Sequence, residues 1–299
     1  MSVASDVKNE LCRVPLGRHC CAVAEAYGVL LYANTFTQRE IRIITGSADF
    51  ARRVPRLMRR AFGLDFNSQL SKAGRHTVLT YTDEAGIAQI FRAFGFDPGE
   101  TVAHHVNLGV LEEDCCRTAF LRGAFLAGGS INTPEKRCHL ELVTDHFSVA
   151  RESFVLFREL GFDPRETVRR GHCVIYFKRT ELIEDMLTAM GAPLSAMELM
   201  SAKIAKEMRN KINRNVNCDT ANADKVVAAA AEQLAAIRRI DAQYGLDKLP
   251  QPLHDTALLR IANPEVSLSD LALLADPPVS KSCISHRMKR LMTYTPAGE

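Results

Sequence analysis

Three groups of residues in this chain have types and spacings that could do chemistry. The sharpest lies near the C-terminus, where the run SKSCISHRMKRLM carries Lys281, Ser282, Ser285, His286, Arg287, Lys289 and Arg290, with no acid from Val279 to Thr293. At helical period Ile284, Met288 and Leu291 fall together on one face and the polar groups turn to the other. A serine hydroxyl bonds either donors or acceptors on base edges, and lysine and histidine suit the acceptors of guanine. Lys281, Ser282, Ser285 and His286 are therefore candidates for reading bases. Arg287, Lys289 and Arg290 are candidates for gripping phosphates, which fixes register without reading sequence. The second group is SAKIAKEMRNKINRNVN, where Lys203, Lys206, Arg209, Lys211 and Arg214 stand against one acid, Glu207. An extended basic segment beside a base-reading module supplies phosphate contacts; the alternative is a solvated linker.

The third group is cysteine. There are nine, among them the vicinal pairs Cys20-Cys21 and Cys115-Cys116. No C-x-x-C pair occurs, and an odd count in a long chain argues against a disulfide framework. Adjacent cysteines are poorly placed for the usual structural zinc geometry, and no histidine sits beside them at ligand spacing. The expectation is small buried thiols, with no metal and no cofactor. Catalysis finds no support either: there is no Ser/His/Asp order, phosphate-cradling glycine loop or HExxH, so no catalytic residue is expected.

These groups must be held by a chain of 299 residues, enough for two domains and a connector. A hydrophobic share of 46% and a charged share of 24% are those of a soluble globular protein. A net charge of +3 excludes a histone-like polycation, although clustered charge still allows a nucleic-acid partner. No stretch has the length of a membrane span, and MSVASDVKNEL lacks the build of a secretory signal. A cytoplasmic, nucleoid-associated protein is expected.

The first two hundred residues repeat. CCAVAEAYGVLLYANTF (Cys20–Phe36) and CCRTAFLRGAFLAGGSI (Cys115–Ile131) place Gly28 and Gly123 at one offset, and Asn34 and Gly129 at another, where a left-handed helix stop is expected. Alternating strands follow in both copies: EIRIIT and CHLELVT, then HTVLTY and HCVIYF. Between them lie amphipathic helices, about Asp49–Phe62 and His146–Leu160, that stop at Gly63 and Gly161, and closing helices stop at Gly95 and Gly191. Each half reads helix, hairpin, helix, hairpin, helix. The first helices should pack together across Gly28, Gly123, Ala127 and Gly128, because a helix-interior glycine costs about 1 kcal/mol that close packing must offset. FGFDPGETV and LGFDPRETV look alike, yet occupy different places in the two halves; they are shared helix-stop grammar, not the repeat register.

LRGAFLAGGS (Leu121–Ser130), with AYGVLLYANT (Ala26–Thr35) as a degenerate copy, resembles the motif of the LAGLIDADG homing endonucleases. With NRNVNCDTANADK (Asn213–Lys225) and PPVSKSCISHRMKRL (Pro277–Leu291), nearly the whole chain resembles the WhiA family of bacterial regulators. The resemblance implies a role in cell division, chromosome segregation or sporulation. It also places the metal-binding carboxylates of active nucleases at Ala33 and Gly128, neither of which offers an oxygen ligand. Nuclease activity is accordingly not expected, with a residual endonuclease as one rival reading and a protein-interaction scaffold as the other.

The expected fold class is α+β: a pseudo-twofold, duplicated LAGLIDADG-like domain with antiparallel sheets, a linker helix, and an all-α helix-turn-helix domain. The segments are 1–18 (N-terminal), 19–198 (duplicated domain, halves about 19–110 and 114–198), 199–248 (basic linker and long helix) and 249–299 (helix-turn-helix). In the linker the asparagine-rich stretch Asn213–Asn222 should break the helix. A long helix from about Ala221 to Tyr244 should follow, with Val227, Ala230, Leu234 and Ile237 as its apolar stripe. In the last domain Leu253, Ala257, Leu258 and Ile261 should face inward, and SLSDLALLA opens on a serine with an acid three residues on, close to a capping box. Double-stranded DNA is the expected partner, with other proteins as partners of the duplicated domain and no membrane. Basic residues on or near the strands (Arg39, Arg42, Lys72, Arg75, Lys136, Arg137, Arg169, Arg170 and Lys178) read first as a solvated face, since Glu40, Glu135 and Glu141 dilute any field there, with DNA or protein contact as the alternative; the helix face with Arg52, Arg56, Arg59 and Arg60 is more concentrated and is a candidate for an anionic partner.

Overall fold

The structure is a computed structural model that describes residues 2–70, 76–99, 103–132 and 138–295. It divides into two compact units, Met1–Lys206 and Glu207–Glu299.

The first unit opens with α1 (Val3–Arg13), which buries Val7 and Leu11. It then runs α2 (His19–Leu31), β1 (Thr35–Phe36), β2 (Ile41–Thr45), α3 (Ala48–Phe62), β3 (Asn67–Leu70), β4 (Thr77–Tyr81) and α4 (Glu84–Ala93). The same series returns as α5 (Asp114–Gly128), β5 (Gly129–Ile131), β6 (Leu140–Thr144), α6 (Phe147–Glu159), β7 (Arg165–Arg169), β8 (His172–Phe177) and α7 (Thr180–Met190). Each half makes one antiparallel sheet, ordered β1-β2-β4-β3 and β5-β6-β8-β7. The expected duplication is present element for element.

Glycine decides how the halves meet. A Cβ built on Gly28 would lie 2.2 Å from the Phe120 carbonyl oxygen, and one on Gly123 would lie 2.1 Å from that of Glu25. No larger residue fits either place, so α2 and α5 cross backbone to backbone in the centre of the core. The look-alike stretches behave as shared stop signals: Gly95 (φ 76°) and Gly161 (φ 86°) are left-handed, and Phe96 and Phe162 donate back to the carbonyls of Phe91 and Phe157 at 2.9 and 3.0 Å. They follow α4 and α6, different elements of the repeat.

Two expectations fail here. Neither Asn34 nor Gly129 is left-handed, because a strand begins at once and needs extended backbone; Gly129 has φ −86° and ψ 148°. Asn34 instead accepts the amide of Ile44 at 2.7 Å through its side chain. Nor does α1 have a counterpart in the sequence reading. Its Glu10 receives the amides of Leu194 and Ser195 at 2.8 Å each, capping the next helix.

That helix, α8, runs unbroken from Pro193 to Tyr244, with the boundary between the units inside it. The asparagine-rich stretch does not interrupt it: asparagine lowers helix propensity by only a fraction of a kcal/mol per residue, and neither glycine nor proline is present there. Its buried face in the second unit is Ala230, Gln233, Ile237 and Ile240, whereas Val227 is exposed, so the inward stripe differs from the one expected. Among the described residues no helix is long and apolar enough to cross a membrane.

The second unit adds α9 (Gln251–Ala262), α10 (Leu268–Leu273) and α11 (Lys281–Met292) around a core of its own, built from Ile237, Ile240, Leu253, Ala257, Leu271, Ile284, Met288 and Leu291.

Candidate nucleic-acid interface

Helix α11 starts where Ser280 accepts the amide of Cys283 at 3.2 Å. Ile284, Met288 and Leu291 are buried, as their spacing requires. The opposite side is open: Lys281, Ser282, His286, Lys289 and Arg290 are exposed, while Ser285 and Arg287 are half-buried. The short α10 ahead of it is capped by Ser267, whose hydroxyl accepts the Asp270 amide at 3.2 Å and meets the Asp270 carboxylate at 2.7 Å. Val279 donates to the Ala272 carbonyl at 3.0 Å, closing the turn that aims α11.

The sequence reading erred on α9. Leu258 and Ile261 are exposed, and the inward face is Leu253, Thr256, Ala257 and Arg260, the i, i+3, i+4, i+7 set displaced by one position. Arg260 was missed because a cation on an apolar stripe reads as solvent-facing. Its guanidinium lies inside, donating to the carbonyls of Asn263 and Val266 at 3.1 and 2.6 Å, and so ties the α9–α10 turn. Burial holds its pKa below the usual guanidinium value. Ser280, the α11 cap, was also passed over, although serine before a helix is a readable signal.

The five candidate phosphate contacts in the first half of α8 are not all alike. Lys203 is half-buried in the first unit and pairs with Glu181 of α7; Lys206 is half-buried; Arg209, Lys211 and Arg214 are exposed in the second unit. On the sheets, Arg169 donates to the Glu141 carboxylate at 3.1 Å, and Lys178 lies 5.0 Å from the centre of the Tyr176 ring. Arg39 and Arg42 are exposed, and Lys72, Arg75, Lys136 and Arg137 lie outside the described residues. The arginine-rich face of α3 carries its own acids: Arg52 pairs with Asp49, and Arg59 with Asp65 at 2.6 Å. Arg53, on the same helix, is buried and grips Glu25 through two bonds of 2.5 and 2.9 Å. Glu25 is therefore an ion-pair partner inside the fold and is not placed to serve as a displaced metal ligand.

Of the two positions matching the nuclease carboxylates, the second is closed. A Cβ on Gly128 would meet the Val143 carbonyl oxygen at 2.4 Å and the Tyr32 ring at 3.0 Å, so not even a methyl group fits. Ala33 follows the end of α2 and offers no oxygen. The residues present do not fit a catalytic divalent cation. The cysteines also depart from expectation: Cys116 and Cys138 are buried, but Cys20 and Cys218 are at the surface.

A duplicated α+β domain whose two core helices cross on glycine, followed by a helix-turn-helix with an acid-free outer face, defines a LAGLIDADG-like helix-turn-helix protein. Comparison with known sequences narrows this. Residues 212–295 match the family described as the WhiA C-terminal HTH domain, and residues 117–209 match the WhiA LAGLIDADG-like domain. The chain is similar to the probable cell division protein WhiA of Ruminiclostridium cellulolyticum (37% identical, covering 97% of this chain and 96% of that protein). It is also similar to that of Desulforamulus reducens, at 35% over 97% and 94% of the two chains. The chain belongs to the WhiA family. Its fold matches the crystal structure of full-length DUF199/WhiA from Thermatoga maritima with a TM-score of 0.60, at 24% identity over 97% and 96% of the two chains.

Proposed function

We propose that this protein is a sequence-specific DNA-binding transcription regulator of bacterial cell division, chromosome segregation or sporulation, acting at the chromosome in the cytoplasm and without nuclease activity. The observation that carries the reading is the outer face of α11, where Lys281, Ser282 and His286 are exposed with no acid between Val279 and Thr293. Relatives that bear the name of a probable cell division protein support the cellular role. The filled position at Gly128 supports the lack of cleavage.

In this reading Lys281, Ser282, Ser285 and His286 meet base edges in the major groove. Arg287, Lys289 and Arg290 hold phosphates, joined from α8 by Lys206, Arg209, Lys211 and Arg214, whereas Lys203 is taken up by Glu181. The duplicated domain adds DNA contact, a protein interface, or both. The test is binding of the full chain to its genomic target and to scrambled duplexes over a range of salt. Lys281→Ala and His286→Ala should narrow the gap between target and scrambled DNA, each by about 1–3 kcal/mol. Equal loss on every duplex would remove base reading by α11, and Mg²⁺-dependent cleavage of any duplex would remove the inert-nuclease part.

A further inference from the structure

The crossing of α2 and α5 brings together residues that lie far apart in sequence. Cys20 and Cys21 stand in the first turn of α2, and Cys115 and Cys116 in the first turn of α5. All four Sγ atoms lie within 4.8 Å of one another. We propose that Cys20, Cys21, Cys115 and Cys116 form a tetrathiolate site for Zn²⁺ that staples the two halves of the duplicated domain at their pseudo-twofold axis.

The argument is geometric. Four zinc-bound sulfurs sit at the corners of a tetrahedron whose edge is about 3.8 Å, given Zn–S bonds of about 2.3 Å. The cluster needs to tighten by no more than about 1 Å along its longest edge to reach that shape. Two disulfides would instead require two pairs to close to about 2 Å while the others stayed apart. The partners also cross over between the halves: Cys20 is within hydrogen-bonding reach of Cys116, and Cys21 of Cys115, as an approximate twofold demands. Vicinal cysteines alone fail as a zinc motif, which is why each pair looked inert. The second pair comes from the other half of the repeat.

The surroundings suit the product. Zn²⁺ with four thiolates carries a charge of −2, and it would stand before the N-termini of two helices, whose dipoles favour negative charge. Arg18 and Arg122 add positive charge within reach of the cluster. Cys116 closes the site from the core side, and Cys20 leaves it open to an ion from solvent. Binding is a ligand exchange without redox change: each thiol gives its proton to solvent as its sulfur joins the metal.

The experiment uses the full chain, kept reduced under nitrogen, with its metal content measured as purified and then exchanged for Co²⁺. One equivalent of zinc is expected, and one of Co²⁺ should produce intense d–d bands in the red with a thiolate charge-transfer band in the near ultraviolet. Cys20→Ser with Cys115→Ser should abolish both, whereas Cys218→Ser, outside the cluster, should keep them. Alkylation mapping of the wild-type chain gives a readout independent of variant folding: Zn²⁺ should protect the solvent-facing Cys20 and Cys115 and leave Cys218 reactive. Absence of cobalt bands in the reduced wild-type chain, zinc retained by the double variant, iron in place of zinc, or no change in alkylation would each overturn the proposal.

Discussion

A cation on the sheets of the duplicated domain and a cation on α11 have the same charge and different company. Arg169 faces Glu141, which also receives His139, and on α3 Arg52 and Arg59 are paired with Asp49 and Asp65. The outer face of α11 has no acid in its length. A paired cation has little field left to offer a phosphate, whereas an unneutralised row keeps it. The number of basic residues is thus a poor guide to an interface; the acids beside them decide it. The buried cations teach a related lesson. Arg53 in the first unit meets a carboxylate, while Arg260 in the second donates to two backbone carbonyls.

The largest test of the comparison strikes Arg53. Arg53→Ala leaves the Glu25 carboxylate buried with, among the described residues, the more distant Arg122 at 3.5 Å. Loss of one partner of such a pair costs about 3–5 kcal/mol. Denaturant unfolding of the full chain should show that loss in the transition of the first unit. The midpoint of the second should stay, since its core residues form a separate cluster. Equal loss in both transitions would break the separation on which the comparison stands.

Gly123→Ala comes next. Its methyl group would press on the Glu25 carbonyl, and overpacking of this kind costs about 1–3 kcal/mol. The same measurement checks it, and an unchanged midpoint would show that α2 and α5 do not meet as closely as described.

Acid should separate the regions further. His104 donates its Nε2–H to the Phe36 carbonyl at 2.6 Å, and His146 stands edge-on to it at a ring distance of 4.6 Å. Burial pushes both pKa values below the ordinary 6.5; for His104 the bond to the Phe36 carbonyl pulls back upward and His105 pushes down, and for His146 the push of His104 exceeds the upward pull of Asp145. Below the ordinary value the unfolded chain takes up protons that the folded one refuses. The stability is therefore complete above about pH 6.5 and falls as pH drops through the lowered values. Denaturant midpoints across that window should fall for the first unit, and His104→Gln with His146→Gln should flatten the dependence.

The duplication was legible because period and punctuation agree. Gly63, Gly95, Gly161 and Gly191 stop helices where the pattern stops, and all four have positive φ. The outer face of α11 was legible for the same reason, since Ile284, Met288 and Leu291 leave only one side for the charges. What could not be read depends on partners distant in sequence. Glu10 caps a helix that begins at Pro193, Arg53 finds Glu25, and the two cysteine pairs meet only after α2 and α5 cross. The unbroken α8 is a different failure: local propensity argued for a break, and a continuous run of helical hydrogen bonds outweighed it.

The smallest effect is the most pointed test of the opening contrast. Each phosphate contact releases about one condensed counterion, so removing one cation that touches DNA lowers the slope of log K against log salt by about one. Lys289→Ala should do so on target and scrambled duplexes alike. Arg169→Ala should leave the slope unchanged, because that guanidinium already spends its field on Glu141. If the two substitutions lower the slope equally, pairing on the sheet does not silence a cation, and the duplicated domain rides on DNA as α11 does. If Arg169→Ala lowers it only when Glu141→Gln is also made, the acid is shown to be the gate.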